Sequence, residues 1–388
     1  MHKVLTLNNI SLAGLDRLPR DQYEVASEMI RPDAILLRSF DMHDFEIPST
    51  VRAVGRAGAG VNNIPVAKLS ERGVPVFNAP GANANAVKEL VLAGMLISAR
   101  NICDAWRFAQ GQAADSDAEL NKQIESGKKA FVGFELPGRT LGVLGLGAIG
   151  VEVANAAMGL GMKVIGYDPG LTVSRAWQLS SRVEQAQSVE EVLRRADVLT
   201  LHVPLVDGTR ELINAERIQS MKPGATLLNF SRAGIVHEAD VVDALERHHL
   251  RAYVCDFPSL ALSGRPGVIA LPHIGASTQE AEDNCASMVA EQLKQFLEHG
   301  NIEHSVNFPE ASMPRNGGYR LSVANQNIPN MVGQISTALA KANLNIIDML
   351  NKSRGDIAYT LIDVDQPVGD DVMRHLGAIQ GVLMVRGL

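Results

Sequence analysis

"TLGVLGLGAIG", Thr140 to Gly150, sets Gly145, Gly147 and Gly150 in the pattern G-x-G-x-x-G. A chain with 34 glycines among 388 residues can produce that pattern by chance, so the flanks must carry the reading. Upstream, Thr140 to Leu144 is an apolar run fit for a buried strand, and downstream "VEVANAAMGLGM" has apolar residues at helical spacing. "KVIGYD", Lys163 to Asp168, then reads as a second buried strand closed by an acid. Strand, glycine turn, helix, strand and acid in that order make a dinucleotide-binding unit. In it Gly145 permits the tight turn, Gly147 lets the backbone approach a pyrophosphate, Gly150 lets the helix pack on the strand, and the helix start offers free N–H groups. Asp168 is expected to accept hydrogen bonds from the adenosine ribose hydroxyls and to repel a 2′-phosphate, which favours NAD over NADP.

Outside this unit, the length of 388 residues exceeds one ordinary core and suggests two or three domains. With 46% apolar and 20% charged residues the composition is globular. A net charge of −7, no basic cluster and few aromatic residues leave no electrostatic footprint for nucleic acid or a membrane surface. The first residues lack a signal pattern, and no apolar run approaches the ~18 residues of a membrane span, so a soluble cytoplasmic protein is expected. Cys103, Cys255 and Cys285 are odd in number and lack metal-ligand spacing, which points to reduced, buried thiols and to no metal site.

From Met1 to about Arg100, apolar runs such as "KVLTL", "AILLRS", "VRAVGRAG" and "VPVFNAP" alternate with helical or turn segments, as a parallel sheet requires. The glycine motif opens a second α/β unit that continues through "VLTLHVPL", "ATLLNFSR" and "AYVCDF". His304 to Gly318, rich in Pro, Gly and polar residues, reads as a linker. Beyond it the periodicity predicts βαββαβ, the ferredoxin-like order, from "YRLSVAN" to "VLMVRGL". The fold class is therefore α/β, with two doubly wound parallel-sheet, Rossmann-like domains and a ferredoxin-like C-terminal domain.

Ligands of open α/β sheets bind beyond the carboxyl ends of the strands. Two residues there suit oxidation of an alcohol by a nicotinamide cofactor. Arg232, in "NFSRAGIVHE", has the rigid fork that binds a carboxylate bidentately. His273, in "ALPHIGAST", titrates near neutrality and can take the hydroxyl proton.

"GRAGAGVNNI", "NAPGANANAVKELV", "LGVLGLGAIG", "VPL", "NFSRAGIV" and "LPHIGAST" together resemble the D-2-hydroxyacid dehydrogenase family. The C-terminal pattern resembles its phosphoglycerate dehydrogenase branch, where an ACT domain follows. The resemblance implies NAD-dependent oxidation of 3-phospho-D-glycerate to 3-phosphohydroxypyruvate, on the route to L-serine. It implies a discontinuous substrate-binding domain (1–97 and 276–312), an NAD-binding domain (98–275) and a linker with ACT domain (313–388). By position, Arg232 would bind the substrate carboxylate and His273 would be the general acid/base. Arg38, Ser39, Arg56, Ala57, Gly58, Ala59, Gly60 and Asn83 would contact the substrate. Ala148, Ile149, Val203, Pro204, Thr209, Ser231, Asp256 and Gly275 would join Gly145, Gly147, Gly150 and Asp168 around NAD. Asn327 and Asn345 would bind L-serine as an effector, in a homo-oligomer of two or four chains. One departure stands out: Leu260 and Ala261 occupy the place where the family has a glutamate paired with the histidine, leaving Asp256, Glu238 or Glu280 to orient His273. Two other readings stay open, a dehydrogenase for another 2-hydroxy acid and an NAD-dependent regulatory protein with weak catalysis.

Overall fold

The computed structural model describes residues 1–388. The chain packs as two compact units, one of residues 1–83 with 278–388 and one of residues 84–277. No helix is long and apolar enough to cross a membrane.

The first unit opens with a parallel sheet of β1 (His2–Leu7), β2 (Tyr23–Ala26), β3 (Ala34–Leu37), β4 (Ala53–Arg56) and β5 (Val76–Phe77), in the order β2-β1-β3-β4-β5. β3 is buried at every residue, as a central parallel strand covered on both faces must be.

The second unit contributes α1 (Ala84–Ala99) and α2 (Ala148–Gly159) around a parallel sheet of seven strands. These are β6 (Thr140–Leu144), β7 (Lys163–Tyr167), β8 (Glu184–Gln185), β9 (Val198–Leu201), β10 (Ala225–Asn229), β11 (Leu250–Cys255) and β12 (Val268–Ala270). Their order is β12-β11-β10-β9-β6-β7-β8. The chain builds outward from β6 through β7 and β8, then returns to the other side of β6 with β9. That reversal is the topological switch point, where a crevice opens beyond the strand ends. The glycine turn follows β6 at this place.

The chain re-enters the first unit with α3 (Gln279–His299), started by Thr278, whose side chain caps Ala281 N. The C-terminal segment forms β13 (Tyr319–Gln326), α4 (Met331–Lys341), β14 (Ile346–Arg354), β15 (Ile357–Val364), α5 (Asp370–Gly377) and β16 (Val382–Gly387). The sheet is antiparallel, in the order β14-β15-β13-β16, the ferredoxin-like arrangement. Its apolar face is not self-contained: Ala324, Tyr359 and Leu361 share one buried cluster with Val289 and Phe296 of α3 and Phe77 of β5. The segment read as a linker is pinned as well. Phe308 and Ala311 are 1% exposed, and β-bridges join Phe77 to Ser305 and Ile302 to Ala311. Arg320 anchors this region, donating to Met313 O and Pro314 O and pairing with Asp363 at 2.7 Å.

Candidate active site

The three glycines of the second unit serve three different needs. Gly145 has φ +91°, and a Cβ there would stand 2.6 Å from His202 O, so the turn admits only glycine. A Cβ on Gly150 would fall 1.9 Å from Gly145 O, which shows how closely α2 approaches the turn. A Cβ on Gly147 would meet nothing within 4 Å, and no side chain caps the helix that it begins. The first-turn N–H groups, those of Ala148, Ile149 and Gly150, are thus free to meet an anion. Asp168, at the end of β7, accepts from Leu146 N through Oδ2 and from Gly170 N through Oδ1, each at 2.8 Å. The carboxylate is fixed beside the turn, and each oxygen retains a lone pair for a hydroxyl donor. This open, uncapped cradle with an anchored acid fits NAD.

The neighbouring strand ends extend the rim. Val203 and Pro204 follow β9, and Thr209 Oγ1 accepts from Val206 N at 2.9 Å. Ser231 Oγ donates to Leu201 O at 2.7 Å, tying the ends of β9 and β10 together. His202 was not singled out from sequence. Its Nδ1 is sealed from solvent without a partner, Nε2 lies 2.9 Å from Thr200 Oγ1, and burial lowers its pKa to about 3. The only sequence signal was a histidine directly after an apolar strand.

Arg232 follows β10 on a turn fixed by buried Asn229, whose Oδ1 accepts from Ser231 N and whose Nδ2 donates to Arg232 O. The guanidinium is exposed, makes no ion pair and donates to Ser231 O at 2.6 Å. His273 follows β12 with φ +54° and an exposed side chain. Its ring makes no hydrogen bond and lies 5.0 Å from that of Phe257, centroid to centroid. Asp256, 1% exposed, does not orient the imidazole: it accepts from Ile274 N and Gly275 N, both at 2.9 Å, and so holds the loop that carries His273. Glu238 instead accepts from Ser259 Oγ at 2.7 Å, Leu260 is 98% exposed, and Glu280 belongs to the other unit, in the first turn of α3. Within its own unit, His273 has an aromatic neighbour and no carboxylate.

In the first unit, Arg38, Ser39 and Arg56 lie at the carboxyl ends of β3 and β4. Arg56 Nε donates to Arg38 O at 3.0 Å, and a Cβ on Gly58 would stand 2.3 Å from Arg56 Nη1, so glycine there leaves the guanidinium its room. Ala57 N and Gly58 N donate to Leu37 O and Arg56 O, whereas the N–H groups of Ala59 and Gly60 meet no protein acceptor. Arg38 is not a free cation: Nη2 lies 2.7 Å from Glu282 Oε1 of α3. Ser39 N donates to Asn8 Oδ1, and Asn83 Oδ1 is enclosed without a donor. In the C-terminal sheet, Asn327 Nδ2 donates to Gly355 O at 3.0 Å, which staples the hairpin turn between β14 and β15. Asn345 is exposed, and its backbone N–H donates to Asp365 Oδ1.

Residues 92–275 match the family model described as D-isomer specific 2-hydroxyacid dehydrogenase, NAD binding domain. A D-3-phosphoglycerate dehydrogenase of Methanocaldococcus jannaschii is 36% identical over 81% of this chain, which spans 57% of that relative's length. One from Escherichia coli K12 is 32% identical over 86% of this chain and 80% of its own. Among solved structures, the TT0316 protein of Thermus thermophilus superposes with a TM-score of 0.63 at 27% identity, covering 78% of this chain and 99% of that one. The glycine turn at the switch point, the anchored acid after β7 and similarity over most of the length agree: the chain belongs to the D-2-hydroxyacid dehydrogenase family.

Proposed function

We propose that this protein oxidises 3-phospho-D-glycerate to 3-phosphohydroxypyruvate, in the direction of L-serine synthesis. The reading is carried by similarity to D-3-phosphoglycerate dehydrogenases that runs far beyond the NAD-binding domain, over 86% of the chain for the E. coli enzyme. NAD, when bound, accepts the hydride from the hydroxyl-bearing carbon of the substrate. The chain supplies the rest. Gly145, Gly147 and Gly150 with the N–H groups of Ala148 and Ile149 hold the pyrophosphate, and Asp168 holds the ribose. Arg232, free of any carboxylate, binds the substrate carboxylate and draws electron density from the developing carbonyl. His273 takes the hydroxyl proton on a ring nitrogen. The unpartnered N–H groups of Ala59 and Gly60, with Arg56, offer donors to the phosphate.

A second substrate class has a specific observation in its favour. Glu282 neutralises Arg38, which removes one cation from the proposed phosphate contacts and suits a less charged 2-hydroxy acid. The bare imidazole of His273 likewise supports a protein with weak catalysis. The C-terminal sheet supports an ACT-like module in a homo-oligomer, with L-serine as effector, although the Asn327 amide serves a turn. NADH formation with 3-phosphoglycerate and with unphosphorylated 2-hydroxy acids tests the proposal. The expected result is a kcat/KM for the phosphorylated acid at least tenfold above the others, and equal values would overturn it. His273→Gln should lower kcat, whereas Arg232→Lys should chiefly raise the KM of the acid.

A further inference from the structure

A buried charge ordinarily brings its counter-charge with it. Arg320 on β13 has Asp363, with side-chain exposures of 0% and 1%. Arg386 on the edge strand β16, opposite Ser322 of β13, has no such partner. It is 5% exposed, stacks 4.3 Å over the Phe296 ring, and donates through Nη1 and Nη2 to Phe296 O and Leu297 O at the end of α3. Its Nε–H is enclosed and has no acceptor. Burial lowers its pKa only to about 10, so the guanidinium stays charged at neutral pH.

Arg386 lines a cleft of about 720 Å³ between β16 and the amino edge of the first sheet. The facing wall carries Lys3, Arg31, Asp33, Ser49 and Arg52. Lys3 reaches Glu24 at 3.6 Å and Arg52 reaches Asp33 at 3.9 Å, while Arg31 makes no ion pair. Four cations thus line the cleft with one carboxylate, and one of the four, Arg386, carries a buried charge that no carboxylate pairs. The cleft is separate from the residues assigned to substrate. Arg31 and Asp33 precede β3 and Ser49 to Arg52 precede β4, whereas Arg38 and Arg56 stand at the opposite ends of those strands, roughly 13 Å away at ~3.3 Å per residue.

We propose that this cleft is a binding site for an oxyanion of the phosphate class, inorganic phosphate or a phosphate monoester. The exposed forks of Arg31 and Arg52 and the Ser49 hydroxyl match its tetrahedral oxygens, and a dianion compensates the excess cations, the buried Arg386 among them, better than one carboxylate does. Because Arg386 stands on the C-terminal sheet and Arg31 and Arg52 stand beside the first sheet, the ligand clamps these two parts of the unit together.

Isothermal titration of the full-length protein with inorganic phosphate, in a chloride background of constant ionic strength, tests the site. Arg386 is left intact because its loss would strip a buried helix end, and the probe is the exposed pair Arg31→Ala with Arg52→Ala. The expected result is one-to-one binding that the double variant weakens at least tenfold and Arg232→Lys leaves unchanged, with turnover in the double variant as in the wild type. No heat above the chloride control, or binding equal in the double variant, would overturn the assignment. A parallel titration with 3-phosphoglycerate identifies the source: a second binding event, beyond that of the substrate site, absent from the double variant but present in Arg232→Lys assigns a phosphate monoester, and binding of inorganic phosphate without such a second event assigns the free ion.

Discussion

Asp256→Asn separates two roles for one buried carboxylate, contact with NAD as the resemblance implies and support of the His273 loop as the geometry suggests. In the wild type both oxygens accept backbone N–H groups, from Ile274 and Gly275, at 2.9 Å each. An asparagine offers one acceptor oxygen, so one of the two N–H groups must face an NH₂ donor instead. Hydrogen bonds to a charged acceptor contribute about 1.5–3 kcal/mol, and the remaining bond is also weakened because the charge is gone. His273 itself sits at φ +54°, a left-handed conformation that costs a non-glycine residue roughly 1–2 kcal/mol and persists only while the loop is held. Losing about 2 kcal/mol of restraint lowers the equilibrium constant for the held loop some 30-fold. The loss stays local, because native stability is typically about 5–15 kcal/mol. Steady-state kinetics should therefore show kcat reduced about 10- to 100-fold, with NADH affinity by fluorescence titration changed less than about threefold. A variant with unchanged kcat and a tenfold weaker NADH affinity would refute the loop-holding role and restore Asp256 to the cofactor.

His202 makes stability depend on acid. Its folded pKa, about 3, lies below the unfolded value of 6.5, so its contribution is complete above pH 6.5 and is lost as pH falls toward 3. Urea unfolding at pH 7 and pH 5 should show a loss about 2 kcal/mol smaller in His202→Asn than in the wild type, and equal losses would contradict a neutral imidazole held in the folded protein. Asp168→Ala removes the acceptor of Leu146 N and Gly170 N together with the negative charge. It should raise the KM for NAD at least tenfold and narrow the preference over NADP, while a wild-type preference for NADP would sink the assignment. Asp363→Asn leaves Arg320 buried without a counter-ion and should cost about 3–5 kcal/mol in denaturant unfolding, a loss under about 1 kcal/mol being incompatible with the pair.

The glycine turn was legible in the sequence because its causes are local. A positive φ at Gly145 and the close pass of Gly150 against Gly145 O are set within six residues of chain, and apolar periodicity marked the strands and helix around them. The βαββαβ order of the C-terminal segment was legible for the same reason. What the sequence could not supply were pairings between groups far apart along the chain. Arg38 meets Glu282, Ser259 takes Glu238, and Asp256 holds the loop after β12, contacts that span 18 to more than 200 residues of chain. The sharing of one buried cluster by the C-terminal sheet and α3, and the burial of Arg386 without a carboxylate, depend on which surfaces exclude water together. Backbone preference belongs to a residue and its neighbours, whereas burial and counter-charge belong to the assembled structure, and only the tertiary fold decides them.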